Sequence, residues 1–284
     1  MKICAWLERY GFNVTCLPVD LYGRVRPEDL EKAMTDDTFL VSIMTANNET
    51  GSLQPITELA GIAHHQGVLF HTDAVQAVGK IPLDVETLGA DFLTLSGHKF
   101  HGPKGVGALY VRKGVELEPL VHGGEQEGGL RAGTENTVGI AGVGKAAELA
   151  EQRLADMNQR IRILRDRLWE GIRRLLPEAK LNGHPEYRLP NTLNVSLPGI
   201  RGEAMVLALD QKGVFLSSGS ACRAGSPKPS HALLNMGLSE EEAHCALRIS
   251  LGVGNTEAEI NQTLERMEEV IRQSMTTVRF VPCR

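Results

Sequence analysis

The residues best equipped for chemistry lie in the run 96–105, SGHKFHGPKG, where Lys99 stands between a histidine and glycine-rich chain. The preceding residues 91–95, DFLTL, read as a short strand that stops at Ser96, and a second strand-like run opens at residue 105. Lys99 is therefore expected on a tight connection at a strand end, where chemistry is commonly sited. A lysine becomes a nucleophile when desolvation or a nearby cation lowers its pKa, and it can then form a Schiff base with an aldehyde. Most lysines in glycine-rich loops are merely solvated, so the assignment needs partners elsewhere.

Pyridoxal phosphate is the common aldehyde cofactor, and it requires a carboxylate opposite its pyridine nitrogen and donors for its phosphate. A candidate carboxylate is Asp73, which ends the apolar run 68–72 within HTDAVQ (71–76). Taken singly, a strand-end Asp is more often a cap. The chain, however, also carries NNETG (47–51), GGLRAGT (128–134), SSGSAC (217–222) and RISLG (248–252), in that order. Together these resemble the class V pyridoxal-phosphate-dependent transferases and, within them, the cysteine desulfurases of the NifS/IscS type. The resemblance covers essentially the whole chain. SSGSAC followed by PSHALLNMGL is its most discriminating part, because many such enzymes share the lysine and few place a cysteine there.

The resemblance implies roles residue by residue. Lys99 would anchor the cofactor and shuttle the proton at the substrate Cα as general base and acid. Asp73 would keep the pyridine nitrogen protonated, Gln76 would bond the ring hydroxyl, and Ser96 and His98 would contact the phosphate. Asn47, also a cofactor contact, and Arg248 would hold the substrate carboxylate, which suits the guanidinium fork; a competing expectation pairs Arg248 with one of the acids at 240–242. Thr134 would reach the phosphate across a homodimer interface. Cys222 would be the second catalytic group, its thiolate taking sulfur from L-cysteine to leave alanine and a persulfide, then delivering the sulfur to an acceptor protein such as an iron–sulfur scaffold. Arg223 beside it would favour the thiolate by charge. Cys16 and Cys245 are expected within apolar elements, without a chemical role.

Composition fits this class without selecting it. The chain has 284 residues, is 42% hydrophobic and carries a net charge of −5, enough for one large or two ordinary domains. It has no basic stripe for nucleic acid and no run of membrane-spanning length, and its first residues read as an amphipathic stretch rather than a signal peptide. Its five cysteines lack a CxxC pair, so reduced thiols and a cytoplasmic location are expected. His64, His65 and His71 lack ligand partners at zinc spacing, so no metal is expected. The segment 139–146, GIAGVGKA, nearly spells a nucleotide phosphate loop, but Ala146 lacks the hydroxyl for Mg²⁺ and no strand precedes it.

Strand-like runs at 12–17, 39–45, 68–72, 92–95 and 106–111 alternate with helical stretches at 27–34 and 55–66, which predicts a mainly parallel α/β sheet. A long helical span over 138–176 reads as a connector. Beyond it, strand-like runs at 192–197, 214–217 and 247–251 with helices at 203–211 and 257–274 predict a smaller α+β unit. The expected division is a cofactor-binding large domain over 1–150 and a small domain over 151–284 bearing the cysteine loop, the architecture of transferase fold type I. The resemblance also implies a family section ahead of the part matched by residue 1, with two edge strands, a phosphate-binding turn and a ring-stacking histidine. This chain thus resembles a fragment or late-start product, whose activity alone is an open expectation. Two alternatives accompany the desulfurase reading: another lyase with the same cofactor, such as one acting on selenocysteine, and an inert associating fragment.

Overall fold

The computed structural model describes residues 2–218 and 228–278. Its first half is a four-stranded sheet in the order β1 (Leu40–Ser42), β2 (Leu69–Asp73), β3 (Phe92–Ser96), β4 (Gly107–Val111). The first three strands run parallel, with Leu40 opposite Leu69 and His71 opposite Phe92. The fourth is antiparallel, Ser96 facing Gly107. That reversal follows from the short 96–105 connection, which is too short for the crossover that a parallel neighbour requires. The sheet is mainly parallel, as expected.

The run 12–17 forms no strand. Its alternation mimics one, but β1 pairs only with β2 among the described residues, so this segment has no ladder to join. Cys16 within it is exposed rather than part of an apolar element. Helices α1 (Lys2–Leu7), α2 (Pro27–Ala33) and α3 (Ile56–His65) precede β2. Pro27 opens α2 where a missing N–H costs nothing, and Glu28 and Asp29 suit its positive end. Leu59, Ala60 and Ala63 of α3 pack with Val41 and Phe70 beneath the sheet. Burial alternates along β2: Phe70 and Thr72 point into this core, leaving His71 and Asp73 on the other face.

After the short α4 (Val85–Leu88), the helical span comprises α5 (Thr137–Gln152), the single turn α6 (Leu154–Asp156), a wide turn at Met157–Ile161 and α7 (Arg162–Leu175). Asn136 Oδ1 caps α5 by accepting from Gly139 N at 3.0 Å. Residues 139–146 therefore lie inside a helix and form no phosphate loop.

The second half holds an antiparallel sheet of β5 (Lys180–Asn182), β6 (Thr192–Ser196), β7 (Ser217–Ser218) and β8 (Ala246–Ser250), in the order β5-β6-β8-β7. Against it pack α7, α8 (Gly202–Asp210) and α11 (Glu257–Val278), whose core includes Ile161, Leu168, Ile172, Leu209, Leu247 and Met267. Two small helices, α9 (His231–Asn235) and α10 (Glu240–His244), complete it; Ser239 and Glu242 close a reciprocal capping box on α10. The whole is an α/β arrangement in which each half has a sheet of its own. No helix among the described residues is long and apolar enough to cross a membrane.

Candidate active site

Three adjacent parallel strands deliver the candidate groups to one edge of the first sheet. Lys99 lies in the turn Gly97–Phe100 directly after β3, Asp73 ends β2, and Asn47 follows the backbone that continues β1, where Thr45 N still donates to the Asp73 carbonyl at 2.8 Å. Carboxyl ends of parallel strands are where α/β sheets leave a crevice.

The Lys99 turn is shaped by its flanking glycines and one anchor. Gly97 N donates to the Val106 carbonyl at 3.0 Å and Gly102 N to the Gly97 carbonyl at 2.8 Å. A methyl group at Gly97 would lie 2.9 Å from Val143 Cγ2 of α5, and one at Gly107 would lie 2.5 Å from the Leu95 carbonyl, so the backbone passes where side chains cannot. Phe100 is buried while His98 and Lys99 are exposed. The anchor faces inward and the amine outward. Ser96 is half-buried at the start of the turn.

Asp73 is exposed, and its Oδ1 accepts from Val75 N at 2.9 Å, turning the chain toward half-buried Gln76. Its Oδ2 has no hydrogen-bond partner among the described residues. On the same face, His71 Nδ1 lies 2.7 Å from Ser42 Oγ and Nε2 lies 3.4 Å from Thr94 Oγ1. Burial pushes this imidazole below the usual histidine value, partly offset by the Asp73 charge.

Asn47 has a second duty that its sequence context did not reveal. Its Oδ1 accepts from Glu49 N at 2.8 Å and Thr50 N at 2.9 Å, folding the NNETG loop and leaving the Nδ2 amide for an outside acceptor. That loop meets the second sheet. Asn194 Nδ2 donates to the Glu49 carbonyl at 3.1 Å, and Arg248 Nη1 donates to the Asn48 carbonyl at 3.1 Å. Arg248, opposite Ser217 in the sheet, has a weak 3.5 Å contact from Nη2 to Ser217 Oγ. Its Nε is buried without a hydrogen-bond partner among the described residues. No ion pair holds Arg248 among the described residues, so the competing pairing with an acid at 240–242 is not formed there; Glu242 pairs instead with Lys180 at 2.6 Å. A guanidinium whose Nε has no partner among the described residues, bonded to the loop that carries Asn47, fits a carboxylate ligand.

The remaining expectations divide. Thr134 is exposed, and no hydrogen bond ties it to the Lys99 turn within the chain; Gly133 N donates to Gln126 Oε1 at 3.0 Å. Cys222 and Arg223 lie outside the described residues. Cys245 is buried, and burial pushes its thiol up. Sequence reasoning gave no role to Lys80, which is buried with Nζ donating to the Gln76 carbonyl at 2.8 Å; only its place in the same turn as Gln76 hinted at it. Among the described residues no three His, Cys, Asp or Glu side chains gather as for a metal.

An exposed primary amine, a carboxylate with a spare oxygen on the adjoining strand and unused donors nearby form a donor set that fits pyridoxal phosphate. Comparison with known proteins points the same way. Residues 2–263 match the Aminotransferase class-V family. The "Cysteine desulfurase IscS" of Methanosarcina thermophila is 52% identical over 273 residues, covering 96% of this chain and 67% of that protein; the chain thus spans about two thirds of its length. Among solved structures, a "NIFS-LIKE PROTEIN" is 43% identical with a TM-score of 0.87, covering 94% of this chain and 70% of that one. A structure titled "SspA in complex with cysteine" is 37% identical with a TM-score of 0.73, covering 88% and 69%. With a match over nearly its whole length and an edge of strand-end residues that suits the cofactor, the chain belongs to the pyridoxal-phosphate-dependent class-V aminotransferase family, among relatives of the IscS and NifS type.

Proposed function

We propose that this protein is a cysteine desulfurase, taking sulfur from L-cysteine and releasing L-alanine. The observation that carries the reading is the joining of the two sheets at one place: Lys99, Asp73 and Asn47 follow neighbouring strand ends, and Arg248 of the second sheet reaches the same NNETG loop. The names of the relatives and the cysteine bound to one of them support the substrate.

Pyridoxal phosphate, when bound, supplies an aldehyde for attachment and a ring that accepts electrons. The chain's own groups do the rest. Lys99 would anchor the group and would take and return the proton at the substrate Cα. Asp73 would keep a proton on the ring nitrogen, and Gln76, Ser96 and His98 would supply polar contacts to the cofactor. Arg248 and the Asn47 amide orient the substrate carboxylate. The Cys222 thiolate takes the sulfur: an S–S bond forms as the substrate Cβ–S bond breaks, leaving a persulfide on the protein, and protonation of the remaining fragment gives alanine.

The same reading makes the working unit a homodimer. Leu120 and Val138, 94% and 82% exposed, flank the Thr134 loop in sequence, and apolar exposure there suits a second copy whose cofactor Thr134 would complete. The persulfide passes to an acceptor such as an iron–sulfur scaffold, in the cytoplasm.

The test is product analysis with L-cysteine and L-selenocysteine. Alanine and protein-bound persulfide from cysteine are expected, and Cys222→Ser should lose both while still binding cysteine. Normal alanine release by that variant, or turnover of selenocysteine alone, would overturn the desulfurase reading in favour of another lyase; no turnover by the chain in any assembly would favour an associating role.

A further inference from the structure

A carboxylate with no part in the reaction above stands beside the guanidinium that the substrate needs. Glu49 follows Asn48, whose carbonyl accepts from Arg248 Nη1 at 3.1 Å. One peptide unit joins that carbonyl to the Glu49 Cα, so the guanidinium lies within about 6 Å of this Cα and inside the reach of a glutamate side chain. The Glu49 carbonyl is pinned as well, accepting from buried Asn194 Nδ2 at 3.1 Å, and Asn194 lies opposite Arg248 in the sheet. Yet the two charges form no ion pair. Half-buried Glu49 turns its carboxylate instead to Ser230, whose Oγ donates to Glu49 Oε2.

Ser230 is 4% exposed and opens α9, where its Oγ also accepts from Leu233 N at 3.2 Å. The hydroxyl spends a lone pair on the helix and its proton on the carboxylate, so it cannot rotate without losing a bond. Capping needs only the acceptor half of this arrangement. The donor half goes to an acid from the other half of the chain, and bonds to charged acceptors are among the strong ones. Carboxylate and guanidinium match in geometry, so a Glu49 side chain without this hold would close on the fork of Arg248 much as a substrate does.

On the reading that Arg248 holds the substrate carboxylate, we propose that Ser230 is a positioning residue for that site: by holding the Glu49 carboxylate, it keeps an internal competitor off the guanidinium and leaves Arg248 to the amino-acid substrate. The competitor needs only a side-chain rotation, with no shift of the pinned loop, and a tethered group competes at a high effective concentration.

The test is binding of L-alanine, which carries the carboxylate and no sulfur, to the chain reconstituted with pyridoxal phosphate, measured by calorimetry, with KM for L-cysteine alongside. The variants are Ser230→Gly, Glu49→Gln and the two together, since glycine is tolerated at an N-cap; Ser230→Ala takes the place of Ser230→Gly should the latter not fold. Ser230→Gly should weaken alanine binding and raise KM about three- to tenfold, Glu49→Gln should leave both near wild type, and the double variant should return to within about twofold of wild type. Loss of the cap or of packing persists in the double variant, so suppression by Glu49→Gln marks competition by the carboxylate. Unchanged binding in Ser230→Gly, equal weakening in Ser230→Gly and the double variant, or weakening by Glu49→Gln alone would each overturn the role of Ser230 and leave Arg248 as the substrate's partner. No alanine binding by the wild-type chain, or binding that Arg248→Lys leaves untouched, would instead remove the reading of Arg248 and the proposal with it.

Discussion

Lys99 and Lys80 follow the carboxyl ends of adjacent parallel strands, yet their surroundings are opposite. Lys99 is exposed on a turn held by buried Phe100, whereas Lys80 is buried with its amine on the Gln76 carbonyl and its pKa pushed down to about 8. The perturbed lysine is thus the one that a cofactor cannot easily reach, and the reachable one stands beside it. Perturbed groups cluster at functional sites, but the perturbed group need not be the reacting one. Access and burial are divided between two side chains whose turns touch at Gly79 and Phe100.

The largest effect should come from removing the reachable amine. Lys99→Ala is expected to abolish trapped cofactor and to lower alanine formation by about a thousandfold or more, because anchor and proton carrier are lost together; steady-state alanine assays check it. If Lys80→Ala had the larger effect, the comparison would be inverted.

Next is the group that the second sheet contributes. Arg248→Lys keeps the charge but loses the fork, so KM for cysteine should rise about tenfold or more with a smaller change in kcat. A fall in kcat with KM unchanged would mean that Arg248 holds the NNETG loop rather than the substrate.

The smallest effect is on stability, and it isolates Lys80 from any chemistry. Its folded pKa lies below the unfolded value, so between about 8 and 10.5 the unfolded chain binds more protons and stability rises with pH. At pH 7 the full penalty applies, on the order of 3 kcal/mol for a shift of this size. Lys80→Met should therefore stabilise the fold at neutral pH by about 1–2 kcal/mol after losing the Gln76 hydrogen bond. The gain should shrink as the pH passes through that window. Denaturant unfolding at both ends of the window measures it, and destabilisation at neutral pH would show that the tether outweighs the buried charge.

Much of this arrangement was legible in the sequence because it is local. The runs at 68–72 and 92–95 became β2 and β3, and the short link after Ser96 set Lys99 on a turn. The run at 12–17 misled because alternation reports a half-buried strand only where a ladder exists to receive it. What stayed hidden is what tertiary contact creates: the Nε of Arg248, buried and unpartnered among the described residues, the double duty of Asn47 and the burial of Lys80. None of these has a periodicity or a motif, since each depends on chain brought in from another element.

On the proposed function Lys99 carries the cofactor and its buried neighbour does not. Reconstituting the chain with pyridoxal phosphate, reducing with borohydride and sequencing the labelled peptide tests it directly. The label is predicted on Lys99, at one per chain, and a label on Lys80 or Lys104, or none after reconstitution, would contradict it.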